Sequence, residues 1–155
     1  MIIASACLCG INCKYNGENN LNEYVLELFK KGKVIPVCPE QLGGLTTPRD
    51  CHEILHATGD EVLNNSGKVI SSNGKDSSKE FIKGAYETLN IAKACNAKIA
   101  ILKSKSPSCG FGSIYDGSFL GKKIKGNGVT AELLQKNGVE IYTEKEVERI
   151  KENVL

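Results

Sequence analysis

Short apolar runs alternate with stretches of helical period along almost the whole chain, and few architectures accept that order. The first run, 2–6, predicts a strand. After a polar loop, Leu21, Val25, Leu28 and Phe29 recur at helical spacing, and Gly32 stands where a helix end favours glycine. Residues 33–37 predict a second strand, which completes a βαβ unit with a right-handed crossover. Asp76 predicts the N-cap of a long helix over 77–96 with Phe81, Ala85, Leu89 and Ala92 on one face, and a strand at 98–102 follows. A helix at 129–136, a strand at 139–142 and a terminal helix at 144–153 begun by Thr143 continue the pattern. In between, 39–58 reads as loop, 61–70 as a hairpin turning at Asn65-Ser66-Gly67, and 110–128 as a Gly-rich connection. The expected fold is α/β: one domain over 1–155, a mostly parallel open sheet with helices on both faces in a Rossmann-like arrangement.

Composition excludes several functions. No apolar stretch approaches the roughly 20 residues that cross a bilayer, and Met1-Ile2-Ile3-Ala4 lacks the basic start and long apolar segment of a secretory signal, so the expectation is a cytoplasmic protein with no membrane partner. Twenty basic against 18 acidic residues give no bulk attraction for nucleic acid. The lysines at 103, 105, 122, 123 and 125 read as a solvated loop face. With no aromatic stacking series or RNA-binding motif, nucleic acid is not an expected partner. The oligomeric state is left open.

The compositional anomaly is cysteine. Seven thiols cannot all pair within one chain, and the cytoplasm disfavours lasting disulfides, so metal ligation or reactive thiols account for some of them. Cys7, Cys38 and Cys109 share a setting, each in or just before a turn-rich loop after an apolar strand-like run. If those runs are parallel strands, their carboxyl ends share the edge where open α/β sheets bind ligands. Three thiolates then converge on one centre with room for a further ligand. Cys7-x-Cys9-x₃-Cys13 has neither redox nor zinc-ribbon spacing. Cys95 reads as helix packing, and Cys9, Cys13 and Cys51 are undecided. His52 and His56 lack the H-E-x-x-H pattern and read as a surface pair. Soft thiolates without histidine favour an iron–sulfur cluster over catalytic zinc.

These residues also carry a family resemblance. Ser5-Ala6-Cys7-Leu8-x-Gly10 with Cys13-Lys14-Tyr15-x-Gly17, then Val37-Cys38-Pro39-Glu40 with Gly43-Gly44-Leu45 and Pro48-Arg49, come first. Leu102-Lys103-Ser104, Ser106-Pro107-Ser108-Cys109-Gly110, Ile114-Tyr115-Asp116-Gly117 and Gly126-x-Gly128-Val129-Thr130-Ala131 follow in order. Together they resemble the 2-thiouracil desulfidase family over about residues 2 to 142. The resemblance implies a [4Fe-4S] cluster with three cysteine ligands, falling on Cys7, Cys38 and Cys109, and one open iron that takes the sulfur of a thiolated nucleobase. It further implies a catalytic carboxylate at Glu40 and a catalytic hydroxyl at Ser106.

Chemistry agrees with that implication. An open iron is a Lewis acid toward thiocarbonyl sulfur and turns sulfide into a stabilised leaving group, so water can replace it. Glu40 is then the expected base for that water, Ser106 positions or relays a proton, and Ser108 and Asp116 are expected partners for the edge of the base. Asp116, before Gly117, also suits a simple turn. Two other readings stay open: a sulfur carrier or cluster-binding accessory protein, which needs neither Glu40 nor Ser106, and a zinc protein with spare thiols.

Overall fold

The computed structural model describes residues 1–147, 149 and 150. Strand β1 (Ile2–Ser5) lies between β2 (Val34–Val37) and β5 (Ile99–Leu102), and β8 (Glu140–Thr143) extends the sheet beyond β5. All three pairings are parallel, with Ile3 opposite Ile35 and Ala100. Helix α1 (Glu23–Lys30) links β1 to β2, and Asn22 caps it by accepting the Val25 N–H. Gly32 takes a positive φ just past its end, as expected.

Adjacent strand residues point to opposite faces, so each strand feeds two apolar layers. Ile3, Ala100, Leu102 and Ile141 pack with Phe81, Leu89, Val129 and Leu134, which come from α4 (Ser78–Ala94) and α5 (Val129–Lys136). Ile2, Ala4 and Ile101 pack on the other face with Val25 and Leu28 of α1 and with Val147 and Ile150. Helices therefore cover both faces of a parallel sheet, the expected α/β fold.

Two expected segments differ. The stretch 61–70 is not a hairpin, because Thr58 and Glu61 start a short helix, α3 (Gly59–Leu63), with the Glu61 carboxylate accepting the Thr58 N–H. The hairpin forms instead between β3 (His52–Ile54) and β4 (Val69–Ser71), with α3 inside its connection. The presumed loop 39–58 thus contains β3 and also α2 (Pro39–Leu42), a single turn with proline in its first turn. The Gly-rich connection folds as a second hairpin, β6 (Ser113–Tyr115) with β7 (Lys123–Lys125). Asp76 sits one residue before the N-cap position, and its carboxylate accepts the Ser78 N–H. The terminal helix predicted at 144–153 starts later, since Thr143 ends β8, and its last residues lie outside those described.

Helix α2 is seated by backbone contact against α4. A Cβ on Gly84 would stand 1.8 Å from the Pro39 carbonyl oxygen, and one on Gly43 would stand 1.9 Å from that of Glu80. Neither backbone can yield without moving the helix. Gly84→Ala is therefore expected to destabilise the fold by about 1–3 kcal/mol, as overpacking does, with the urea midpoint as its measure. An unchanged midpoint would show that α2 has room to shift.

Candidate active site and metal centre

The chain places β2 on one side of β1 and then crosses back to place β5 on the other side. Ligands of open α/β sheets bind at such a reversal, beyond the carboxyl ends of the strands. A cavity of about 450 Å³ opens there. Its wall includes Cys7 in the 3-10 turn after β1, Cys38 after β2, and Cys109 in the loop after β5. The three cysteines that share a sequence setting thus share a cavity.

Cys13 joins them, which sequence spacing did not indicate. It is buried, the Cys38 thiol lies 3.8 Å from its carbonyl oxygen, and its own thiol neighbours those of Cys7 and Cys38. That contact is the main reason both neighbours are held down to about 7, against the pull of burial; a side-chain hydrogen bond from Asn20 further favours the Cys7 thiolate. Cys13 itself is pushed up, first by Cys38 and then by Cys7. Burial also raises Cys109, opposed by a hydrogen bond from Ser5. Ser5 in turn accepts the Lys103 N–H at 2.9 Å, which ties the ends of β1 and β5 together.

Among the other cysteines, Cys9 is buried beneath the cavity on the α1 side and pushed up to about 11 by burial. Cys95 packs against the core at the end of α4, as expected. Cys51 is exposed at the rim. The two histidines are not a surface pair. β3 is a strand, so i and i+4 do not share a helical face, and His52 is half-buried with its Nε2 2.9 Å from Ser77 Oγ and its ring against Phe81. Burial lowers its pKa and keeps it neutral.

The polar half of the cavity is one connected chain. Arg49 Nε donates to Glu40 Oε1 at 3.1 Å, while Ser108 Oγ donates to Glu40 Oε2 at 3.0 Å. Ser108 Oγ lies 3.0 Å from Ser106 Oγ, and Ser106 Oγ also accepts the N–H groups of Ser108 and Cys109. A hydroxyl has one hydrogen, and that of Ser108 is on Glu40, so Ser106 is the donor between the serines. Glu40 and Ser106, predicted as separate groups, are joined through Ser108.

Ser108 is only 1% exposed and committed to this chain. Asp116 is not part of the cavity wall. Its carboxylate accepts from the Ser118 N–H and hydroxyl, a side-chain turn that holds its pKa low, and Tyr115 is the residue of that hairpin lining the cavity.

Lys103 is not on a solvated face. Its Nζ donates to Glu144 Oε1 at 2.7 Å, and Glu144 also accepts the Ser104 N–H and hydroxyl. Burial alone would raise the Glu144 pKa, but these donors overcome it and hold the carboxyl low. A carboxylate with a lowered folded pKa adds stability that is present above its unfolded pKa and lost as pH falls through the folded one. Glu144→Gln is expected to cost about 1 kcal/mol at neutral pH after solvent screening. Denaturation at several pH values should show that gap closing on acidification, and a pH-independent gap would contradict the account.

The donor set fits an iron–sulfur cluster. Among the described residues no three His, Cys, Asp or Glu side chains stand close enough to share one metal ion. A cluster needs no such convergence, because each iron takes its own thiolate. Cys7 and Cys38 are held below the ordinary thiol range, toward the thiolate that ligation requires.

These features define a class: an α/β domain with a thiol-lined cavity, a paired carboxylate and serine hydroxyls at the switch point of its parallel sheet. The chain belongs to the 2-thiouracil desulfurase family, whose profile matches residues 2–146. It is 46% identical over 150 residues to the uncharacterized protein YbbK of Bacillus subtilis (strain 168), covering 97% of this chain and 99% of that one. The solved structure of the [4Fe-4S]-dependent thiouracil desulfidase TudS superposes with a TM-score of 0.85 at 34% identity, over 97% of this chain and 94% of the other. Among the described residues no helix is long and apolar enough to cross a membrane.

Proposed function

We propose that this protein is a cytoplasmic [4Fe-4S]-dependent desulfurase. With the cluster on Cys7, Cys38 and Cys109 and one iron free of protein, it removes sulfur from thiouracil or a related small thiolated compound. Water replaces the sulfur, giving the oxo product and hydrogen sulfide. The observation that carries this reading is that the three thiols, Glu40 and Ser106 line one cavity although they come from three separate strand ends. Family membership and the likeness to TudS support the substrate class.

When bound, a cluster with an open iron supplies a Lewis acid for thiocarbonyl sulfur and a stabilised sulfide leaving group. The chain's own residues do the rest. Glu40 takes a proton from the attacking water. Its carboxylate is held at both oxygens, by Arg49 and Ser108, so its orientation is fixed before substrate arrives. Ser106 donates toward Ser108, and this hydroxyl pair carries a proton between Glu40 and the reacting centre as the tetrahedral carbon collapses. Ser108 acts by linking the two groups rather than by touching the base. Both hydrogens of the water leave with the sulfur, and no electrons are gained or lost.

Anaerobic reconstitution with iron and sulfide, followed by mixing with 2-thiouracil, tests the proposal. Equal amounts of uracil and sulfide without added reductant are expected. A cluster that binds hydrosulfide but releases no uracil would make the protein a carrier. Colourless protein containing only zinc would end the cluster reading.

A further inference from the structure

Arg49 lies in the cavity wall, nearly buried at 6% side-chain exposure, and the proposed chemistry uses only its bond to Glu40. A guanidinium has five N–H donors in a fixed fork, and each is already spent. Nε donates to Glu40 Oε1 at 3.1 Å. Nη1 donates to the Thr46 carbonyl at 3.2 Å and to Thr47 Oγ1 at 2.9 Å. Nη2 donates to the Cys13 carbonyl at 2.9 Å and faces Cys38 Sγ at 4.0 Å.

A substrate that needed an Arg49 hydrogen bond would have to break one of these. We infer that Arg49 is a positioning residue rather than a substrate contact: its guanidinium locks the Glu40 carboxylate, the Cys13 loop and the Cys38 ligand to one another. This rests on the desulfurase reading for the role of Glu40. The link to Cys38 does not depend on that role.

Two properties make arginine the residue for this task. Its planar fork reaches acceptors in several directions at once, whereas a lysine ammonium offers three donors from a single point. It also keeps its charge when buried, and that charge sits between the Glu40 carboxylate and the Cys38 sulfur. Thr47 is held from its other side by Gln41 Nε2 at 2.8 Å, so the loop carrying Arg49 is fastened back to α2, the helix that bears Glu40. The fork, its loop and the carboxylate form one closed ring of contacts.

The test uses reconstituted holoenzyme of the wild type, Arg49→Lys and Arg49→Ala, with iron content and urea midpoints to confirm folded, loaded protein. Misplacement of a reacting group by about 1 Å costs on the order of 10²-fold. Arg49→Lys is therefore expected to lose roughly that factor in kcat with KM for 2-thiouracil changed by less than about threefold, and millimolar guanidinium should restore part of the kcat of Arg49→Ala. A rise in KM with kcat preserved would make Arg49 a substrate contact and overturn the inference, as would unchanged kinetics.

A second readout is independent of turnover. Visible circular dichroism of the cluster should change between wild type and Arg49→Lys because the shorter lysine, donating from a single point, cannot hold both the Cys13 carbonyl and a place beside the Cys38 sulfur. If the wild type converts no thiouracil, the desulfurase reading fails while this spectral comparison still decides the Arg49 contact. An unchanged spectrum then overturns it. Should Arg49→Lys fail to load a cluster, alkylation of the cluster-free proteins decides: faster reaction of Cys38 in the variant supports the lock, and an equal rate overturns it.

Discussion

Alanine at Cys7, Cys38 or Cys109 is expected to leave a protein that folds but holds no intact cluster and releases no sulfide from thiouracil. Each thiol comes from a different strand end, so none of the three can stand in for another without moving a strand of the sheet. Cys13 is the instructive control. Its thiol neighbours both Cys7 and Cys38, yet it is pushed up where they are held down. Cys13→Ser keeps a donor at that place and is expected to retain the full iron content. Iron and acid-labile sulfide per chain, measured anaerobically, separate the cases. Full iron in any of the three alanine variants would remove that residue from the ligand set, and iron loss in Cys13→Ser would mean that no iron is left free for a substrate.

Glu40→Gln should keep the cluster and lose turnover by at least about 10²-fold, the usual contribution of a positioned general base. The amide preserves shape, and its oxygen can still accept from Arg49 Nε while its NH2 takes the place of Oε2 and can only donate to Ser108 Oγ, so the Arg49 contact survives while the basic oxygen is lost. The visible spectrum should match wild type while uracil formation collapses. Near-normal turnover would take Glu40 out of the chemistry, whatever its place in the cavity wall.

Strands β1, β2 and β5 were legible because they read as continuous apolar runs, β1 and β5 lying inside the sheet, whereas β8 at its edge alternates as Glu140-Ile141-Tyr142-Thr143. Helices α1, α4 and α5 were legible from their apolar stripes, and α5 falls on the residues expected for it. The small elements were not. Helix α2 has too few residues for a period to show, and it exists because Pro39 starts it and Gly43 and Gly84 let it lie against α4. The β3–β4 hairpin was misplaced because the turn residues Asn65-Ser66-Gly67 suggested its tip, while the capping pair Thr58 and Glu61 turns the chain into α3 instead.

At the cavity the division is similar. Cys7, Cys38 and Cys109 could be found because each follows an apolar run, and the family resemblance singled out Glu40 and Ser106. Arg49, Cys13 and Ser5 gave no comparable signal, although all three stand within the motifs that carry the resemblance. Asp116 looked like a base contact because a carboxylate beside a glycine serves a turn or a ligand equally well; its bonds to Ser118 show the turn.

What the sequence determined by itself is the order of strands and helices and the set of thiols at strand ends, since periodicity and neighbouring turn residues are local properties of the chain. Only the tertiary structure decided that the Cys13 thiol lies against Cys7 and Cys38, that Ser108 joins Ser106 to Glu40, and that Arg49 divides its donors among Glu40, Cys13, Cys38 and the Thr46-Thr47 loop. Hydrogen bonds act over a few ångströms of space, and the groups they join here are as much as 68 positions apart along the chain.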